Sequence, residues 1–190
     1  CTHVVETYPF KEETKFKDLL EKLVEEEKVS VASILFRIAS NFEDLGKTDW
    51  VYSLYQSALS NLFAVIEKQP KKINWKRHLG KNLDRIGDME ITRGNLPKAL
   101  AAYEKGLEIR KDLVERYPSK ALLKQELSVS WNHIGYLEKL RGNLSKALTA
   151  FENALAIRQE VAVRFPANTR WQRNLRSEER RVGKECTIQC

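Results

Sequence analysis

Arg93-Gly94-Asn95-Leu96 returns unchanged as Arg141-Gly142-Asn143-Leu144, 48 residues later. The same shift superposes Ile86-Gly87 on Ile134-Gly135, Ala99-Leu100 on Ala147-Leu148, Tyr103 on Phe151, Leu107 on Leu155 and Tyr117-Pro118 on Phe165-Pro166. Self-similarity at a fixed period of this size restricts a chain to stacked supersecondary units, each burying its apolar face against its neighbours. It defines the kind of surface the chain presents, and leaves open what binds there.

Within one period, two apolar stripes keep helical spacing. In the better copy Leu79, Leu83 and Ile86 mark the first, and Leu96, Leu100, Tyr103, Leu107 and Val114 the second. Between them Gly94 and Gly142 suit the left-handed position that ends a helix, and Asn95 and Asn143 are read as caps of the next, so the two helices double back as an antiparallel hairpin. Gly87 and Gly135 on the first helix and Ala99 and Ala147 on the second remove side chains where the axes approach. Tyr103 and Phe151 fill the space toward the neighbouring unit. Mid-helix glycine costs roughly 1 kcal/mol against alanine, so its recurrence at one phase signals packing. Gly80 has no such echo and is read as a bend in the long first helix.

The chain divides on this register into a lead-in and first helix over 1–30, a degenerate repeat over 31–78, two better repeats over 79–126 and 127–174, and a non-repeat tail over 175–190. Before the repeats, Phe16, Leu19, Leu20, Leu23 and Val24 predict a helix, and Ser30 an N-cap stapled by Val29 and Ile34. The degenerate repeat keeps Gly46, Tyr55, Leu59 and Pro70 in register. From Ser177 onward the sequence abandons the stripe; it is similar to translated adapter or vector sequence and is expected to be dispensable.

The net charge of +7 comes from 33 basic and 26 acidic residues interleaved along the chain, which reads as solvated helix faces before it reads as a nucleic-acid footprint. Cys1, Cys186 and Cys190 stand at the extremes, so neither a disulfide framework nor a four-ligand zinc site can be assembled, and a reducing, cytoplasmic setting is expected. His3, His78 and His133 are isolated, and no phosphate loop or nucleophile elbow occurs. No enzyme, cofactor or metal is expected. Asn143-Leu144-Ser145 fits a glycosylation acceptor formally, but is read as a turn.

Trp131, Ile134, Gly135, Ala147 and Phe151, with Leu83, Ile86, Gly87, Ala99 and Tyr103 one period earlier, resemble the tetratricopeptide (TPR) pattern Trp-x2-Leu-Gly and Ala-x3-Phe. Two features depart from it: Glu90 and Glu138 stand where the family has an aromatic, and the unit is stretched from 34 to 48 residues, as in arrays of large bacterial multidomain proteins. The resemblance covers about residues 31 to 175. It implies an all-α solenoid of helical hairpins wound as a right-handed superhelix, with the first helix of each hairpin lining a concave groove. On that expectation the groove carries Ser33, Phe36 and Ser40, then Lys81, Asp84 and Asp88, then Val129, Asn132 and Tyr136. The implied function is a non-catalytic protein-interaction scaffold, a fragment of a larger array opening on Cys1. The partner is a protein or peptide, with no membrane span. The alternative is a helical-repeat nucleic-acid-binding module using the basic surface.

Overall fold

In the computed structural model residues 48–68 and 72–189 are described, and they form six helices: α1 (Thr48–Lys68), α2 (Ile73–Thr92), α3 (Leu96–Arg116), α4 (Ala121–Leu140), α5 (Leu144–Arg164) and α6 (Thr169–Gln189). No strand occurs among the described residues. Helix starts recur at the sequence interval: Ile73, Ala121 and Thr169 for one set, Thr48, Leu96 and Leu144 for the other. The expected helix over 11–27, the Ser30 cap, and Ser33, Phe36, Ser40 and Gly46 lie outside the described residues. The chain is all-α, built as a helical repeat.

Two units are distinguished, 1–75 and 76–190. In the first, α1 places Val51, Tyr55, Ala58, Leu62 and Val65 three or four residues apart, and all five are buried. In the second, successive helices pack in sequence, α3 on α4, α4 on α5 and α5 on α6.

Both Arg-Gly-Asn turns close in the same way. The Gly94 N–H donates to the Ile91 carbonyl (2.9 Å) and the Asn95 N–H to that of Glu90 (2.7 Å); Gly142 and Asn143 repeat the pair on Lys139 and Glu138 (3.0 and 2.8 Å). This is the double bond of a Schellman motif, which needs a left-handed residue. Gly94 (φ 75°) and Gly142 (φ 77°) supply it. The expected side-chain caps are absent: Asn95 and Asn143 occupy the N-cap position without a side-chain cap bond. Asn143 instead donates to the Glu138 carboxylate (2.6 Å), which also accepts from Arg141 (2.8 Å). A buried carboxylate thus staples the arginine and asparagine of the turn. That is the physical role of Glu138, which stands where the TPR pattern has an aromatic.

The other turns end at proline. Tyr117 (φ −133°, ψ 60°) and Phe165 (φ −131°, ψ 65°) precede Pro118 and Pro166, whose rings push the preceding residue out of helical geometry. Antiparallel helices therefore carry both Arg-Gly-Asn turns at one edge of the stack and both aromatic-proline turns at the other.

Hairpin closure follows the glycine expectation. A Cβ on Gly135 would lie 2.6 Å from Phe151 Cε1, and one on Gly87 would strike the Tyr103 ring. Each aromatic lies flat on the backbone of its own hairpin partner, and only its outer side reaches the next helix, where Tyr103 stacks on His133 (centroids 5.0 Å, 27°). Ala99 (0% exposed), Tyr103 and Leu137 form the centre of this contact. The tail is not separate from the stack: α6 runs on through it, and Glu178 is fully buried.

Gly135→Ala gains about 1 kcal/mol of helix propensity but overpacks a fixed ring, so a net loss of about 1 to 3 kcal/mol is expected. Urea unfolding checks it, and Gly135→Ala combined with Phe151→Leu is expected to recover part of the loss. A stabilised single variant would mean that the ring is free to move.

Candidate functional site

The face expected to bind a partner comprises Lys81, Asp84 and Asp88 on α2 and Val129, Asn132 and Tyr136 on α4. These six residues have different surroundings. Lys81 is exposed, Val129 half-buried, and Tyr136 54% exposed with Leu140 at 45% one turn further on. Asp88 is half-buried; it accepts the Tyr103 hydroxyl hydrogen bond (2.6 Å) and lies 3.9 Å from the Arg85 guanidinium. Burial, then the Asp88 carboxylate, push the Tyr103 phenol far above its ordinary range, so it stays a donor.

Asp84 and Asn132 point inward. Asp84 is 8% exposed, and Arg110 of α3 binds it with two parallel bonds, Nη1 to Oδ1 (2.9 Å) and Nη2 to Oδ2 (2.5 Å), while Arg110 Nη1 also donates to Ser130 Oγ of α4 (2.5 Å). One guanidinium therefore ties three successive helices. His133 Nδ1 stands 3.4 Å from Asp84 Oδ1. Burial pushes the Asp84 carboxyl up, but His133 and Arg110 outweigh it and hold the group below the ordinary carboxylate value.

One period later the arrangement is reworked. Arg158 of α5 pairs with Glu178 of α6 (2.6 Å), donates to the Asn174 carbonyl (3.1 Å) and meets Ser128 Oγ of α4 (3.2 Å). Asn132, in the position of Asp84, donates to Glu178 (2.9 Å). Burial lowers the Arg158 pKa, which the Glu178 charge partly restores.

These arginines are the residues that the periodic reading passed over. Arg110 sits on the apolar stripe between Leu107 and Val114, on a step where a leucine is expected, and Arg158 repeats it at 48 residues. The available signal was a shared phase plus local small residues. A Cβ on Gly80 would stand 3.2 Å from Arg110 Cζ, and one on Gly106 would stand 3.3 Å from Arg110 Nη1. α2 runs continuously through Gly80 from Ile73 to Thr92, and the glycine has a packing role there. It makes room for a buried cation.

Salt bridges on the flanks follow the same period. Lys76 pairs with Asp112 (2.8 Å) and Lys124 with Glu160, while Arg77 grips Glu126 through Nη2 (2.7 Å) and Nε (2.9 Å). Among the described residues no group of three metal-ligating side chains comes together, and no helix is long and apolar enough to cross a membrane.

No family model matches the chain, and no curated protein matches it. Among solved structures it is similar to BtubC (BKLC) from P. vanneervenii, at 16% identity and a TM-score of 0.57, over 95% of this chain and 72% of that one. A TPR-containing domain from Plasmodium falciparum aligns at 16% identity and a TM-score of 0.42, over 88% of this chain and 99% of that one. A de novo designed helical repeat protein aligns at 13% identity and 0.36, over 90% and 99%. The first of these likenesses concerns the fold alone and carries nothing about activity; the helical repeat is read from the recurring helices of the chain itself.

Removing one partner of a buried, hydrogen-bonded ion pair costs about 3 to 5 kcal/mol, and Asp84→Asn is expected to cost an amount of that order near neutral pH. Because the folded Asp84 pKa is depressed, its contribution is present above pH about 4 and is lost as the pH falls further. The melting-temperature gap between the variant and the unsubstituted chain should therefore narrow from pH 7 to pH 3 in circular-dichroism melts. A constant gap would show that the Asp84 charge contributes nothing.

Proposed function

We propose that the chain is a non-catalytic protein-interaction scaffold, part of a longer TPR-like array, docking a peptide or a partner domain on the face of α2 and α4. The observation that carries this reading is the exposure of Tyr136 and Leu140, one turn apart on α4. Behind them Leu137 is fully buried and Gly135 is locked on Phe151, so the tyrosine stands on a rigid support. A large amphipathic ring held in this way loses little conformational freedom on binding, the property that makes tyrosine a frequent hot spot. Lys81 and Asp88 give the surroundings mixed charge, which orients a ligand more than it attracts one. The inward turn of Asp84 and Asn132 narrows the candidate site to Lys81, Asp88, Val129 and Tyr136, with Leu140 added. A cytoplasmic setting and 48-residue repeat units belong to the same reading, supported by the cysteine distribution and by the recurrence of helix starts.

Selection of a displayed random-peptide library on the intact chain tests the proposal. Enriched peptides are expected to lose about 2 kcal/mol, roughly thirtyfold in affinity, against Tyr136→Ala. The substitution is at the surface and should leave the melting temperature unchanged. Enriched peptides that bind the variant equally well would move the docking site elsewhere.

A further inference from the structure

The charge of the chain is not distributed as its interleaving along the sequence suggests. Residues 1–47 hold ten acidic and seven basic residues, so the positive excess belongs to the remainder. Within 76–190 it gathers at one edge. The segments 116–124 and 164–176, which carry the two aromatic-proline turns, contain seven basic residues and no acidic one, whereas 88–97 and 136–145 at the opposite edge hold three of each.

Two of these seven cations are spent on neighbours: Arg116 bonds Asp112 (2.6 Å), and Lys124 pairs with Glu160. Lys120, Arg164, Arg170, Arg173 and Arg176 pair with no carboxylate among the described residues, and all five are exposed. Two are propped on rings, Lys120 Nζ 5.5 Å from the Tyr117 centroid and Arg164 Cζ 5.6 Å from that of Phe165. Phe165 in turn packs edge-on against Trp171 (4.5 Å). Arg170, Arg173 and Arg176 recur every three residues along α6 and are exposed, whereas Trp171 and Asn174 are half-buried and Glu178 is buried.

We infer that this inter-hairpin edge binds phosphodiester backbone, taking a single-stranded nucleic acid without reading its sequence. Four of the five free cations are arginines, whose planar fork matches phosphate oxygens in pairs. The rings beneath Lys120 and Arg164 hold those cations at the surface, which lowers the entropy lost on contact. The same rings are half-buried and already engaged by a cation or by each other, which gives the phosphates the larger share of the contact. The turns lie in a row along the edge of a stack. A linear polyanion can follow a row, whereas a flat anionic bilayer meets it only along a line.

The test uses the full chain and a fluorescein-labelled RNA of about 20 nucleotides of mixed sequence, followed by anisotropy from about 50 to 200 mM KCl. The edge variant is Lys120→Gln, Arg170→Gln, Arg173→Gln; the control removes equal charge at exposed Lys98, Lys105 and Lys146, each changed to Gln. At about 0.7 of slope per phosphate contact on a single strand, the edge variant should flatten log K against log salt by about two and weaken low-salt binding at least about tenfold. The control should lose much less. Equal loss in both variants, or no binding by the unsubstituted chain at the lowest salt, overturns the inference. So does sedimentation with phosphatidylserine vesicles that the edge variant abolishes while RNA fails to bind, which would make the edge a bilayer contact.

Discussion

A guanidinium keeps its proton under all conditions a protein meets, so an arginine buried between helices must find its counter-charge inside the stack. Arg110 and Arg158 impose that requirement on everything near them. Each needs small residues at the crossing, which Gly80 and Gly106 supply for Arg110 and Ser128 and Ala154 supply one period on. Each also needs acceptors from flanking helices, which fixes how far one hairpin can slide on the next. The glycine-aromatic contacts close each hairpin. The arginines set hairpin against hairpin.

Buried ion pairs of this kind often only break even against well-packed apolar groups, so the stability of the stack rests on residues such as Leu79, Leu113, Leu137 and Ala154. An apolar residue also serves at this phase: Leu62, 48 residues before Arg110, is buried. What the polar version adds is direction. For Arg110 the carboxylate comes from the preceding helix α2 and the hydroxyl from the following α4; for Arg158 the carboxylate comes from the following α6, and the position of Asp84 has become Asn132. Each arginine meets one acid. If α4 stood in the place of α2, Arg110 would face Asn132 and lose its only carboxylate. The hairpins are similar in shape and not interchangeable in charge.

The features legible in the sequence were those in which one residue type implies one geometry. A glycine repeated before an asparagine means a left-handed turn, and it occurs as expected; Gly87 and Gly135 do mark a close approach, but it is filled by the Tyr103 and Phe151 rings, which the spacing alone sends toward the neighbouring unit. Arg110 and Arg158 were hidden because a periodic stripe is read by its apolar members, and a charged residue on it looks like an interruption. Asp84 and Asn132 were assigned outward for the complementary reason: a polar residue at a helix position says nothing of a cation arriving from the next helix. Glu138 was visible only as a departure from a family pattern, whereas its bonds to Asn143 and Arg141 make it part of the turn. For the arginines, Asp84 and Asn132 the missing information was a partner 16 to 46 residues away, a distance at which spacing along one helix is silent.

The inward pairs also determine what the surface can do. Asp84 and Glu178 are consumed by Arg110 and Arg158, so neither buried arginine leaves an uncompensated charge inside, and a positive excess in 76–190 has to be looked for at the surface. It cannot collect on the α2 and α4 face, where Asp88 balances Arg85 and the projecting groups at the centre are Tyr136 and Leu140. Nor can it collect at the Arg-Gly-Asn edge, because Glu138 is drawn into the turn to hold Arg141. The aromatic-proline turns have no such carboxylate: their geometry is set by proline and closed by ring packing, which neither needs nor supplies a negative charge. Lys120, Arg164, Arg170 and Arg173, placed there, remain without a carboxylate, while Arg116 and Lys124 borrow theirs from Asp112 and Glu160 in the helix bodies. The separation of an apolar, mixed-charge face from a cationic edge thus follows from two different ways of ending a helix within one repeat.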